Sequence, residues 1–245
     1  MPFFQPSPRL QFSSRRSVAF CVGVASSLVL SQIAIAQVGH LPTKSPYEDY
    51  KSGQTLSASG GWLGIKRDPA KVAPDATGFV SLRYDIGVGG PAYLFARYTI
   101  APSTRNVYDP TKPAKTRLVS RASATTSVVD LGLDIALTGQ KTWHRLIPSL
   151  SGGLGIASDF AKADTGLYRF GTKFSFTYGL GLRYLLRSGY AVRFDATNYI
   201  WQYQYPEKYF LKAADNTAIL SDTKARSVWR GNWGVSAGLS VPIFR

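Results

Sequence analysis

The chain has 245 residues, with 29 Lys and Arg against 14 Asp and Glu, a formal net charge of +15. Hydrophobic residues make up 44% and aromatic residues 13%, enough apolar surface for a packed fold. The single Cys, Cys21, excludes a disulfide scaffold and a cysteine zinc site. The two His residues, His40 and His144, leave little for metal or acid–base chemistry, and no cofactor is expected.

Residues 1–17 hold Arg9, Arg15 and Arg16 and no acid. An apolar run follows from Val18 to Ile35 and ends in the small-residue site Ala34-Ile35-Ala36. A positive stretch, an apolar stretch and a cleavage site in that order predict a secretory signal peptide over 1–36. An uncleaved anchor helix, twin-arginine export through Arg15-Arg16 and a plastid transit peptide are the alternatives. Cleavage removes three positive charges, so +15 becomes +12, and it removes the only Cys. A thiol-free exported chain suits an oxidising compartment. Residues 37–53 lack periodicity and are expected to be a periplasmic lead-in. No later segment reaches ~18 consecutive apolar residues, so further spanning helices are excluded.

From residue 54 onward the chain alternates with period 2, the signature of strands with one apolar face. A weak first strand lies at about 54–65, with Leu56, Ala58 and Trp62 on one face. In 78–88, Val80, Leu82, Tyr84, Ile86 and Val88 oppose Ser81, Arg83, Asp85 and Gly87. In 91–100, Leu94, Ala96, Tyr98 and Ile100 oppose Tyr93, Phe95, Arg97 and Thr99. In 127–137, Val129, Leu131, Leu133 and Ile135 oppose Asp130, Gly132 and Asp134. The segment 146–157 places Leu150, Leu154 and Ile156 against Ser149, Ser151 and Gly153. The longest alternation, 170–186, sets Phe170, Phe174, Phe176, Tyr178, Leu180 and Leu182 against Lys173, Ser175, Thr177, Gly181 and Arg183. In 190–200, Val192, Phe194 and Ile200 oppose Arg193, Asp195 and Thr197. The last strand, 228–243, carries Trp229, Trp233, Val235, Leu239 and Val241 opposite Arg230, Asn232 and Ser240.

These eight segments are joined alternately by short turns and long loops, as in an antiparallel up-and-down barrel with turns at one end and loops at the other. The apolar face carries bulky residues, and the other face carries Gly, Ser, Thr and isolated charges. An eight-stranded barrel has room inside only for packed side chains, so the small residues belong in the lumen and the bulky ones outside. Eight strands of exposed Leu and Phe require hydrocarbon around them, and a closed sheet pairs every backbone group, as a bilayer demands. Tyr98, Tyr190, Trp201, Tyr203 and Tyr205, near strand ends, are expected to form interfacial girdles. A water-soluble lipocalin-like binder would invert the two faces and overfill its lumen.

The rhythm of strands and turns over 54–245, the run FGTKFSFTYGLGLRYLL (170–186) and the final strand WGVSAGLSVPIF (233–244) resemble the small eight-stranded outer-membrane barrels, the outer-membrane protein A, X and W group. The resemblance implies a monomer in the bacterial outer membrane, in contact with lipid and lipopolysaccharide, inserted by the barrel assembly machinery. The final strand departs from the group's pattern, because Pro242 interrupts it, Phe244 is out of phase and Arg245 follows.

The resulting lumen charges are Arg83, Asp85, Arg97, Asp130, Asp134, Lys173, Arg183, Arg193 and Asp195, with Arg230 as a further candidate. Mixed signs allow a plug of ion pairs, with an envelope-structural or surface-interaction role; the alternative is a narrow porin-like path for ions or small solutes. The loop 101–126 carries Arg105, Lys112, Lys115, Arg117 and Arg121, candidates for binding lipopolysaccharide phosphates. Nucleic acid is discounted because the positive charges are dispersed and no motif accompanies them. Catalysis is not expected: His144 follows a short turn and His40 precedes the barrel, so neither reaches the loop end as a general base.

Overall fold

The computed structural model describes residues 45–50, 53–186 and 189–244. The signal peptide expected over 1–36, with Cys21, and most of the lead-in, with His40, lie outside the described residues. The strands and their loops all fall within one unit, Pro46–Arg245.

Among the described residues twelve strands form: β1 (Tyr47–Asp49), β2 (Gln54–Gly64), β3 (Thr77–Gly89), β4 (Ala92–Ala101), β5 (Thr104–Tyr108), β6 (Leu118–Ser123), β7 (Thr126–Ala136), β8 (Lys141–Trp143), β9 (Leu146–Ser158), β10 (Thr172–Leu185), β11 (Ala191–Gln204) and β12 (Ser227–Phe244). Ten share one sheet; setting aside the short β1 and β8 leaves eight. Their antiparallel order is β2-β3-β4-β7-β9-β10-β11-β12, and β12 pairs back onto β2 from Trp233↔Gly64 to Val241↔Leu56. These eight strands therefore form a closed cylinder, each paired on both sides. Each expected strand is present, with ends displaced by a few residues.

The two faces divide as the alternation requires. Phe174, Phe176 and Leu180 point outward, and Leu131 reaches 63% exposure. Ser175, Thr177 and Arg183 on the same β10 are buried inside. The belt of exposed Leu, Val, Ile and Phe runs around the cylinder through Val80, Leu94, Leu133, Leu154, Phe194 and Leu239. Strands of 10 to 18 residues match or exceed the ~9–11 that cross a hydrocarbon core. With each barrel strand paired on both sides and the outer surface apolar, hydrocarbon is the solvent this surface fits.

Turn chemistry explains the alternating connections. Between β3 and β4 the chain reverses at Gly89 and Gly90, with φ of 128° and 56°, values that residues with a Cβ rarely adopt. The long loops 65–76, 102–125, 159–171 and 205–226 lie at the other end. The second carries the separate β5–β6 hairpin.

Three local expectations need correcting. Tyr47–Asp49, expected as irregular lead-in, pairs with β8 from Tyr47↔Trp143 to Asp49↔Lys141. The alternation from Phe170 breaks at Gly171, whose φ of 65° turns Phe170 inward, where it is buried. Pro242 does not end the last strand: it faces Thr55, and the register shifts between it and Phe244, the kind of site where a residue without an N–H is tolerated.

Candidate functional site: a charged lumen beneath an aromatic cap

Strand register assembles the lumen. Arg97 on β4 stands directly opposite Asp130 on β7. Its Nε and Nη2 donate to the two carboxylate oxygens at 3.0 and 2.6 Å, while Nη1 donates to Thr197 Oγ1 at 3.0 Å. Thr177 donates to the same carboxylate at 2.9 Å. A buried charge pair is stable only when its remaining hydrogen-bonding capacity is also met, and here it is.

A second cluster lies nearer the short turns. Asp134 Oδ2 gathers Arg183 Nη2 at 2.7 Å, Arg83 Nη2 at 3.0 Å and Arg193 Nη2 at 3.4 Å. Asp85 takes Arg83 at 2.7 Å and Arg193 at 3.5 Å. Arg193 Nε also donates to Asp195 at 2.7 Å. The two Arg–Asp couples 83/85 and 193/195 are spaced by two residues, which puts both partners on one face of a strand. Four buried arginines (83, 97, 183, 193) thus meet four aspartates (85, 130, 134, 195), and the charges cancel.

Aromatic rings lie against three of the guanidinium groups. Arg83 lies 4.0 Å from the Phe95 ring centre, Arg183 lies 4.8 Å from Tyr93, and Arg97 lies 5.1 Å from Tyr199. The cavity beside Arg83, Arg97, Arg193 and Asp195 measures only ≈ 10 Å³, about the space of one water. Towards the short turns, Tyr93, Ala136 and Ile147 pack together, with Tyr50 from the lead-in against them.

The loop end is sealed by aromatics. Trp201, Tyr203 and Tyr205, expected in an interfacial girdle, are instead buried, with Trp201 at 0% exposure. Arg193, Asp195 and Thr197 face inward, so Tyr199, Trp201 and Tyr203 do also; counting the period of two through to the strand's end carries that signal. Phe170 packs against Trp201 and Tyr203, with ring centres 6.1 and 5.7 Å apart, and Tyr168 stacks on Tyr209. Tyr98 and Tyr190 do sit outside, as do Trp62, Trp229 and Trp233. A buried carboxylate that the pattern does not single out, Asp68, anchors the cap. It accepts from Tyr205 Oη at 2.8 Å and from the backbone N–H groups of Ala70 and Ala73 at 3.0 and 2.7 Å. Burial, followed by the Asp68 charge, raises the Tyr205 phenol above its ordinary pKa.

Not every expected site residue joins these groups. Lys173 lies at the top of β10 and donates to Gln204 Oε1 at 3.2 Å, because no carboxylate faces it across the strands. Arg230 is half-buried at the loop end. The five basic residues of 101–126 form no common patch. Arg105 is buried against Asp164 at 2.6 Å, Arg117 is buried on Thr217 and Lys112 carbonyls, and Arg121 pairs with Asp75. Lys112 and Lys115 remain on the surface. His144 sits at the short-turn end with its ring 5.0 Å from that of Trp143.

No protein-family model matches the chain, and no curated protein matches it. Solved structures of bacterial barrels are similar in fold. The outer membrane protein OprG from Pseudomonas aeruginosa is 12% identical, with a TM-score of 0.46 over 78% of this chain and 96% of that one. Neisserial surface protein A is 11% identical, with a TM-score of 0.41 over 81% and 98%. The outer membrane enzyme PagL is 14% identical, with a TM-score of 0.34 over 77% and 99%. On its own strand order, closure and hydrocarbon-facing belt, the chain is a small eight-stranded β-barrel of the outer-membrane type.

Proposed function

We propose that the protein resides in the bacterial outer membrane as a non-conducting barrel, with a structural or surface-interaction role carried by its loops. One observation supports this above the others: the lumen is filled by a charge-neutral Arg–Asp cage between a Tyr93–Ile147 floor and an aromatic cap. An ion entering would have to displace groups that are paired and shielded from water, at a cost of several kcal/mol for each charge left without its partner. An enzymatic role is disfavoured by the position of His144, away from the long loops, since the fold alone decides nothing about activity.

The test is reconstitution of the refolded barrel in planar lipid bilayers. A folded, heat-modifiable protein that passes no unitary current supports the reading. A stable unitary current that Arg183→Ala or Asp134→Ala abolishes would establish the porin-like alternative instead.

A further inference from the structure

Outside the lumen, the first long loop encloses a pocket of ≈ 330 Å³ at the loop end of the barrel. Its size matches the smaller end of small-molecule sites. Ile65 and Pro74 contribute apolar wall, Arg67 and Lys71 contribute donors, Asn106 contributes an amide oxygen, and Asp68 and Asp75 contribute acid.

The acids and the bases of this pocket differ in one respect. Both carboxylates are already committed: Asp68 to two backbone N–H groups and the Tyr205 hydroxyl, and Asp75 to Arg121. Among the described residues, neither Arg67 nor Lys71 forms an ion pair, and both are exposed. The pocket therefore offers two cationic side chains to an incoming group while its anionic side chains are occupied. A planar guanidinium and an ammonium together suit an oxyanion with several oxygens.

The backbone holding these cations is built in advance. Asp68 pins the turn through Ala70 and Ala73, Lys71 N donates to Asp68 O at 3.1 Å, and Val72 beneath it is fully buried. Lys71 itself takes a φ of 59°, a left-handed backbone that a Lys adopts only when its surroundings impose it. Its backbone thus needs little ordering on binding, which favours affinity.

We propose that this pocket binds a phosphorylated sugar, with Arg67 and Lys71 on the phosphate and Asn106 Oδ1 accepting from a hydroxyl, its Nδ2 being engaged with Lys71 O and Tyr108 Oη. The phosphate can come from a free sugar phosphate or from a phosphorylated lipid headgroup, since both present the same group. The pocket lies outside the lumen, so the outcome of conductance measurements has no bearing on it.

The experiment is calorimetric titration of the refolded full barrel in detergent with glucose 6-phosphate, with glucose as the uncharged control. Saturable binding of the phosphate ester, weakened about tenfold by Arg67→Gln and by Lys71→Gln but unaltered by Lys224→Gln, is the expected result. Unchanged heat-modifiable mobility shows that the variants fold. In parallel, the same proteins in detergent are titrated with lipid A dispersed in the same micelles. Loss confined to glucose 6-phosphate assigns the site to a free solute; loss of lipid A capture assigns it to a headgroup. Failure to bind either probe, or binding that both substitutions leave intact, overturns the proposal.

Discussion

Arg97 and Asp130 face each other across the β4–β7 ladder and are joined by two parallel hydrogen bonds of 3.0 and 2.6 Å, both side chains being sealed from solvent. Removing either partner strands the other charge in the lumen. Arg97→Ala or Asp130→Leu should each lower stability by about 3–5 kcal/mol. The paired replacement Arg97→Met with Asp130→Leu should recover most of that loss, because an apolar pair leaves no unpaired charge. Urea unfolding of the refolded barrel, followed by tryptophan fluorescence, gives all three values. Losses that simply add in the double variant would show that the pair is not coupled.

The lipid face makes an opposite demand. Leu131 projects from the middle of β7 into the apolar belt. Leu131→Arg should cost roughly 2–4 kcal/mol in lipid, the penalty of a cation near the bilayer midplane. A negligible cost in vesicles of known thickness would mean that water, not hydrocarbon, surrounds this surface.

Glycine placement yields a third expectation. Gly181 faces Asp195 on one side and Ser149 on the other. A Cβ there would lie 2.6 Å from Ser149 Oγ and 3.1 Å from Asp195 Oδ1, pressing directly on the charge cage. Gly60, on the outer face, has its nearest atom at 3.8 Å. Gly181→Ala should therefore destabilise by about 1–3 kcal/mol, whereas Gly60→Ala should be nearly neutral in the same unfolding assay.

The cap should loosen in alkali. Burial raises the phenols of Tyr168, Tyr205 and Tyr209 above their ordinary value, so the folded state holds their protons more tightly than the unfolded state does. Their contribution to stability is complete below about pH 10, the unfolded value, and is lost as pH rises towards the higher folded values. Tyrosinate absorbance should show a fraction of the phenols titrating only beyond the ordinary range. Tyr205→Phe, which deprives Asp68 of its hydroxyl donor, should cost about 1.5–3 kcal/mol and make the loop end more susceptible to protease. Normal titration of every phenol would contradict the sealed cap.

Much of this architecture is legible in the residue order. In a strand, side chains alternate strictly, so the run from Phe174 to Arg183 declares which residues share a face. The contrast between Phe or Leu on one face and Ser or Gly on the other then selects lipid outside. Alternation alone places Arg83, Asp85, Arg97, Asp130, Asp134, Arg183, Arg193 and Asp195 in the lumen. It fails where backbone geometry interrupts the period, as at Gly171. At Trp201 the parity is intact, and the error comes from weighting the residue's aromatic character above it.

What alternation cannot express is which strands are neighbours and how the loops fold back. Pairing of Arg97 with Asp130 depends on register across a connection that includes the β5–β6 hairpin, and the Asp134 hub joins side chains from β3, β7, β10 and β11. The basic loop illustrates the same limit: Arg105, Arg117 and Arg121 are close in sequence, yet Asp164, Thr217 and Asp75 from distant segments claim them one by one. Facing is a local property of the chain and is written in its period; partnership depends on long-range closure, and only the folded cylinder settles it.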